Sequence, residues 1–320
     1  MADEFSHRLT RLKWSVMDAA IDAKERLPSG IYRAPPESFG YLLIVPGLLL
    51  VGFLFVGMLL LARYSVLTFD PIEFVVNVYT LENWRRFLET SAYHRIFFRT
   101  VWMATLITVL SVLFAFPYAY LTIRIDSSLL RKLLLIGIFV PFFTGIIVRA
   151  YGWLILLGRN GLVNATLEAI GVGSVDFIGT NLGVMIGLLQ IMIPYSIVML
   201  APAIQAIDQS LEQAAMNLGA NRLDTFRHVV VPLAKPGIAG ASIVVFTITA
   251  ATFAIPDLIG AGQVDFMANL IFSALFSQVN YPLASVLSLT LVFVASLIVM
   301  LVFYRVGTGT LGIETGGGDE

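Results

Sequence analysis

Ser210–Pro236, SLEQAAMNLGANRLDTFRHVVVPLAKP, is the stretch from which the organisation of this chain is read. The 31 residues before its flank, Phe177–Ile207, carry no charge, and another apolar run follows it. Between Asp208 and Lys235, by contrast, stand Glu212, Arg222, Asp224, Arg227 and His228. Ionised side chains at bilayer depth are costly, so this segment leaves the membrane. It reads as two short helices. Ser210 with Gln213 forms a capping box, and Gly219 supplies a left-handed stop after Leu218. Asn221 caps a second helix, whose positive end is favoured by Asp224. Pro232 ends that helix and Pro236 restarts the chain as an apolar one.

The rest of the composition agrees with a membrane setting. The chain has 320 residues, 58% hydrophobic and 13% charged, against about 25% charged in soluble domains. A net charge of −1 argues against a nucleic-acid partner. Cysteine is absent, which excludes disulfides and thiolate chemistry. Residues 1–38 hold six Lys and Arg, with Leu9, Leu12, Val16 and Met17 at helical spacing, and read as an amphipathic segment on the inner membrane surface. No signal-peptide apolar core lies close to the terminus.

Uncharged runs of about 20 residues, the length that crosses a bilayer, give six spans. These are Gly40–Ala62, Thr100–Ile123, Leu133–Gly158, Asn181–Ile204, Pro236 to about Pro256, and Leu283–Tyr304. Pro141, Gly145 and Arg149 interrupt the third, and Met267–Gln278 reads as a partial or interfacial segment. Leu81, Trp84, Phe87 and Leu88 suggest a further interfacial helix in the first outer loop. With the N-terminus inside, 13 Lys and Arg fall on the cytoplasmic side and six outside, so both termini are expected in the cytoplasm. The expected fold is an all-α integral membrane protein: a segment 1–38, a six-helix domain 39–305 containing the polar loop 208–236, and a disordered tail 306–320.

Ser210–Pro236 resembles the EAA loop of permease subunits in bacterial ABC importers. The family pattern is Glu-Ala-Ala, three residues, Gly, nine residues, Ile, one residue, Leu-Pro. Ala214, Ala215, Gly219 and Pro232 fall in register, and Val229 and Val231 stand for Ile and Leu. Gln213 occupies the glutamate position, with Glu212 one residue earlier and about 100° around the helix. The resemblance implies a cytoplasmic coupling helix between spans four and five, seated on a separate ATPase by Glu212, Gln213, Ala214, Ala215, Gly219, Arg222 and Pro232. It also implies an ATPase dimer, a second permease subunit and a periplasmic solute-binding protein as partners in the inner membrane. No cofactor is expected on this chain; ATP and Mg belong to the ATPase. Consistently, the sequence has no Gly-Lys pair and therefore no P-loop, no H-E-x-x-H and no G-x-S-x-G. His7, His94 and His228 fall on segments expected on opposite sides of the membrane. Catalysis by this polypeptide is not expected.

Leu81–Trp84, Pro117–Tyr120, Arg149–Trp153, Leu157–Gly161 with Asn164, and Asn269–Ile271 are similar to the spermidine/putrescine-type permeases. The likeness runs from about Phe39 to Arg305 and implies a polyamine substrate, with opines, amino-acid-like compounds, thiamine and ferric iron as alternatives within the same class. An ion-coupled secondary transporter is a reading from another class; it needs intramembrane acids at midplane and leaves the EAA stretch unexplained. A cation sheds water against carboxylates and aromatic faces. Asp257, Tyr195, Phe253, Tyr151 and Trp153 are the candidates for such a path, each with helix capping or packing as its plainer role. Arg149 would repel a cation from the same path.

Overall fold

The computed structural model describes residues 37–306. The expected amphipathic segment at the N-terminus and the tail from Gly307 onward lie outside the described residues, apart from the first residues of α1. Helix α1, Glu37–Ser65, is apolar and contains Pro46. The chain divides at Leu59/Leu60 into two units. Most of α1 belongs to the first unit, and the elements from its last turn onward belong to the second.

A short hairpin, β1 (Leu67–Thr68) and β2 (Val76–Tyr79), pairs antiparallel before α2, Glu82–Glu89. This is the interfacial helix expected from Leu81–Leu88. Its Asn83 is buried and donates to the carbonyls of Ser65 and Leu67, while Trp84 Nε1 donates to Ser65 Oγ. Helix α3, Ser91–Arg124, spans 34 residues and contains the expected second span.

The expected third span is two helices. Helix α4, Ser128–Phe143, stops shortly after Pro141, and α5, Ile146–Leu157, starts after Gly145. Two features account for the break: Pro141 lacks an N–H for the ladder, and Gly145 adopts an extended conformation as N-cap. Helix α6, Leu162–Ala169, follows. Helix α7, Asn181–Gln205, holds Pro194 and Pro202.

The polar loop carries α8, Gln209–Asn217, and α9, Arg222–Thr225, which runs through a π-helical turn, Phe226–Val230, into Val231–Leu233. The chain then bends by 69° into α10, Lys235–Ala250. The expected fifth span breaks before reaching Pro256. Helix α10 ends at Ala250 and α11 covers Ala254–Gly260. Pro256 has no N–H for the Thr252 carbonyl, and it stands in the first turn of α11, where that N–H has no helical partner to lose. Helix α12, Met267–Phe272 with a π-helical turn to Ser277, is the short apolar segment expected there, and α13 covers Tyr281–Val306. Among the described residues five stretches are long and apolar enough to cross a membrane, or six with the bent α9–α10 pair counted as one; the third is Ile146–Ala169, α5 with α6, and not the expected Leu133–Gly158.

Lipid tails are as apolar as leucine, so these helices associate through close packing rather than escape from water. Helices α3, α7 and α10 form the centre, with α11 set against α5 and α7 and α13 against α10 and α12. Ile107, Val184, Leu188, Val245, Ile255 and Ile259 are fully buried in one cluster; Ala119, Leu200, Ile204, Val230 and Ala234 are buried in a second. Gly187 shows why a small residue is needed: a Cβ there would lie 2.6 Å from Ile259 Cδ1. Gly237 similarly lets α10 approach Ala203 of α7.

Candidate functional site: the loop from Asp208 to Pro236

Helix α8 does not begin with a Ser210–Gln213 box. Asp208 is the N-cap, its Oδ1 accepting the Ser210 N–H at 2.8 Å. A helix starting at Gln209 places Ser210 at its second position, where the backbone N–H needs an acceptor and the hydroxyl no longer caps. That backbone hydrogen bond holds the Asp208 carboxyl below its usual range. The other end agrees with the sequence. Gly219 takes φ +96°; its N–H donates to the Met216 carbonyl and Ala220 N–H donates to the Ala215 carbonyl, a Schellman closure. Asn221 Oδ1 then accepts Asp224 N–H at 2.8 Å and starts α9.

Glu212 contributes the one buried side chain of α8, and that side chain is charged. It turns inward to the last turn of α3. Arg124 Nε donates to Glu212 Oε1 at 2.9 Å and Tyr120 Oη donates to Oε2 at 2.7 Å. A second Arg124 nitrogen sits 2.7 Å from Oε1 and donates to the Ile207 carbonyl at 2.8 Å. The Phe226 ring packs edge-on to both Tyr120 and Phe116. Glu212 therefore spends its charge within the chain.

The rest of the loop is open. Gln213, Ala214, Gly219, Arg222 and Pro232 are exposed, and Ala215 is half-buried. Apolar side chains are exposed beside them: Leu211, Met216 and Leu223, with Leu218 at 90%. Sequence reasoning missed these leucines as surface groups, although Leu218 and Leu223 stand out in a segment this polar. Pattern alone marks Arg124 as a cytoplasmic positive charge and gives Tyr120 no role. Between α3 and α8 lies a cleft of about 640 Å³, lined by Tyr120, Arg124, Asp126, Glu212, Gln213 and Arg222.

The five path candidates do not converge. Asp257 is exposed in the first turn of α11, where its N–H donates to the Phe253 carbonyl. Phe253 stacks on Phe272 with ring centres 4.5 Å apart. Tyr195 of α7 meets Phe142 of α4 at 4.8 Å. Tyr151 is exposed on α5, and Trp153 packs half-buried against the main core. Among the described residues no hydrogen bond or ring contact joins the Asp257–Phe253 pair to the other three, and Arg149 makes no ion pair with Asp257. The buried Nε of Arg149 has no hydrogen-bond partner among those residues. Among the described residues no cluster of acidic or histidine side chains is arranged to hold a metal.

Comparison with known proteins bears on the same loop. The family model "Binding-protein-dependent transport system inner membrane component" matches residues 124–307. The chain is 31% identical over 258 residues to the spermidine/putrescine transport system permease protein PotB of Escherichia coli, covering 80% of this chain and 93% of that one. To the inner membrane ABC transporter permease protein YdcU of the same organism it is 32% identical, with 82% and 88% covered. A chain in the crystal structure of a bacterial ABC transporter that imports the acidic polysaccharide alginate superposes with a TM-score of 0.67 at 18% identity, over 87% of this chain and 96% of that one. That last likeness concerns the fold alone.

Proposed function

The chain belongs to the family of binding-protein-dependent inner membrane transport components, the permease subunits of ABC importers, and we propose that it forms the translocation path for a polyamine of the spermidine/putrescine class. In this reading it crosses the membrane six times, with α5 and α6 together as the third crossing and α9–α10 as the bent one. Both termini face the cytoplasm. Helix α8 is the coupling helix, and ATP is hydrolysed with Mg by a dimer of separate subunits. A second permease and a periplasmic binding protein complete the importer.

The observation that carries the docking role is the two-sidedness of α8. A helix with one buried residue and Leu211, Ala214 and Leu218 exposed along one side has that apolar face unused within the chain. Exposed apolar patches rimmed by polar groups mark partner surfaces. Ala214, Ala215, Gly219, Gln213, Arg222 and Pro232 form or flank that seat, and Glu212 holds it from behind. The substrate class rests on the spermidine/putrescine permeases among the relatives, which match over most of their length. Asp257 and Phe253 are the groups on this chain proposed to meet the cation, with Tyr195, Tyr151 and Trp153 along the route; the separation between the two sets leaves room for residues of the second permease.

The complete importer in proteoliposomes tests this reading. Labelled spermidine should enter with ATP and the binding protein present and should continue to do so after ion gradients are collapsed. Uptake by this chain alone under a proton gradient would contradict it.

A further inference from the structure

Helix α8 is joined to the rest of the chain in an unusual way: its one buried side chain is a carboxylate, and that carboxylate is held by an arginine and a tyrosine from the last two turns of α3. We propose that Glu212, Arg124 and Tyr120 form a latch through which α8 and span α3 move as one body, with Glu212 as a positioning residue for coupling. The proposal rests on the reading of α8 as the coupling helix.

Three features point to transmission rather than to anchoring alone. Leu211, Met216 and Leu218, the side chains that would fix α8 by apolar packing, are exposed, so the helix lacks an apolar anchor of its own. The latch is bidentate in effect: each carboxylate oxygen has its own donor, and Arg124 also grips the Ile207 carbonyl just before α8. Two donors and a fixed guanidinium plane define the direction of the joint as well as its length. Buried ion pairs are weak contributors to net stability against an apolar alternative, and their best attested use is to fix geometry. The side chains of Arg124 and Glu212 are 14% and 9% exposed, so water and salt screen the pair little. Arg124 stands at the end of a 34-residue helix that packs against α7 and α10. A displacement of α8 delivered through this joint therefore reaches the centre of the bundle directly. Towards α10 the covalent chain passes the π-helical turn and the 69° bend; towards α7 it passes only Ala206–Asp208, where Arg124 also holds the Ile207 carbonyl.

The experiment uses the complete importer in proteoliposomes, with spin labels at Phe114→Cys on α3 and Asn217→Cys on α8; the sequence has no native cysteine to compete. Both positions are exposed and neither belongs to the latch. In the otherwise native protein the label separation should agree within about 2 Å between nucleotide-free and ATP-trapped states, the scale of ordinary helix shifts. Glu212→Gln should broaden that separation and lower spermidine moved per ATP hydrolysed by roughly 10-fold, within the usual range of coupling energies, while ATP hydrolysis and subunit stoichiometry persist. The exchanged pair Arg124→Glu with Glu212→Arg should recover at least half of both readouts. A separation that changes with nucleotide in the native protein would overturn the latch. So would an unchanged transport ratio in Glu212→Gln, or a loss of assembly that the exchanged pair fails to restore. If the native importer moves no spermidine while the label results hold, the substrate reading fails and the latch stands.

Discussion

The two ends of α3 are both held by an arginine, and they are held differently. At the start, Arg99 donates to the carbonyls of Gln263 and Asp265, with distances of 2.6–3.0 Å, and Thr100 Oγ1 accepts the Met267 N–H. At the end, Arg124 holds the Glu212 side chain and one carbonyl. The turn between α11 and α12 places Val264 and Phe266 in the main core, so the Arg99 clamp on its carbonyls fastens the bundle to itself. Glu212 belongs to a nine-residue helix with an exposed apolar face, so the Arg124 clamp fastens the bundle to the element proposed to meet the ATPase. In the proposed coupling, a side-chain carboxylate is gripped where an element is to move, and backbone carbonyls alone where the bundle is joined to itself.

Substitutions can break that contrast, beginning with the largest effect. Ala214→Trp adds bulk on the exposed face of α8 and should leave this chain's fold intact while the ATPase is lost from the purified complex. An unchanged subunit ratio would remove α8 as the seat. Arg124→Ala strands a buried carboxylate and should cost about 3–5 kcal/mol, read as a lowered unfolding midpoint of the purified complex. Arg99→Ala removes charge-assisted bonds to carbonyls that water can partly replace at that half-exposed end, and should cost about 2 kcal/mol without altering transport per ATP. Equal effects of Arg99→Ala and Arg124→Ala on that ratio would erase the distinction between the two ends. Gly219→Ala forces a Cβ into the left-handed region and should cost about 1–2 kcal/mol, seen as faster amide exchange at Gly219 and Ala220.

The smallest effect is in pH. The Asp208 carboxyl lies below its usual range because it accepts a backbone N–H. Its contribution to α8 is therefore complete above the unfolded pKa near 3.8 and is lost as pH falls through the lower folded value. Amide exchange at Ser210 should rise only below about pH 4, and Asp208→Asn, which keeps an uncharged cap, should flatten that dependence.

Much of the fold is legible in the residues, for reasons that are local. The Gly219 stop follows from a left-handed backbone that few residue types supply, the Asn221 cap from a side chain that accepts a backbone N–H, and the break near Gly145 from the nearby Pro141. The early end of α10 is less legible, because the sequence marks the proline and the break falls a turn before it. Asp208 competes with Ser210 as the cap, and two oxygen acceptors two residues apart are not separated by pattern. The latch is out of reach: spacing puts Glu212 and Gln213 on different faces, but nothing in sequence joins position 212 to Arg124, 88 residues away. The path candidates stay scattered for a related reason, since aromatic residues are as common in packing as in recognition.

The proposed coupling requires an ATP-hydrolysing subunit to occupy the exposed face of α8. A photo-crosslinking residue at Leu218, the most exposed apolar side chain on that loop, tests this most directly in native membranes. The expected result is an adduct with a separate ATP-binding subunit, and no such adduct from the same probe at Tyr120, which faces α8 from behind. Adducts from Leu218 confined to lipid or to further copies of this chain would contradict it.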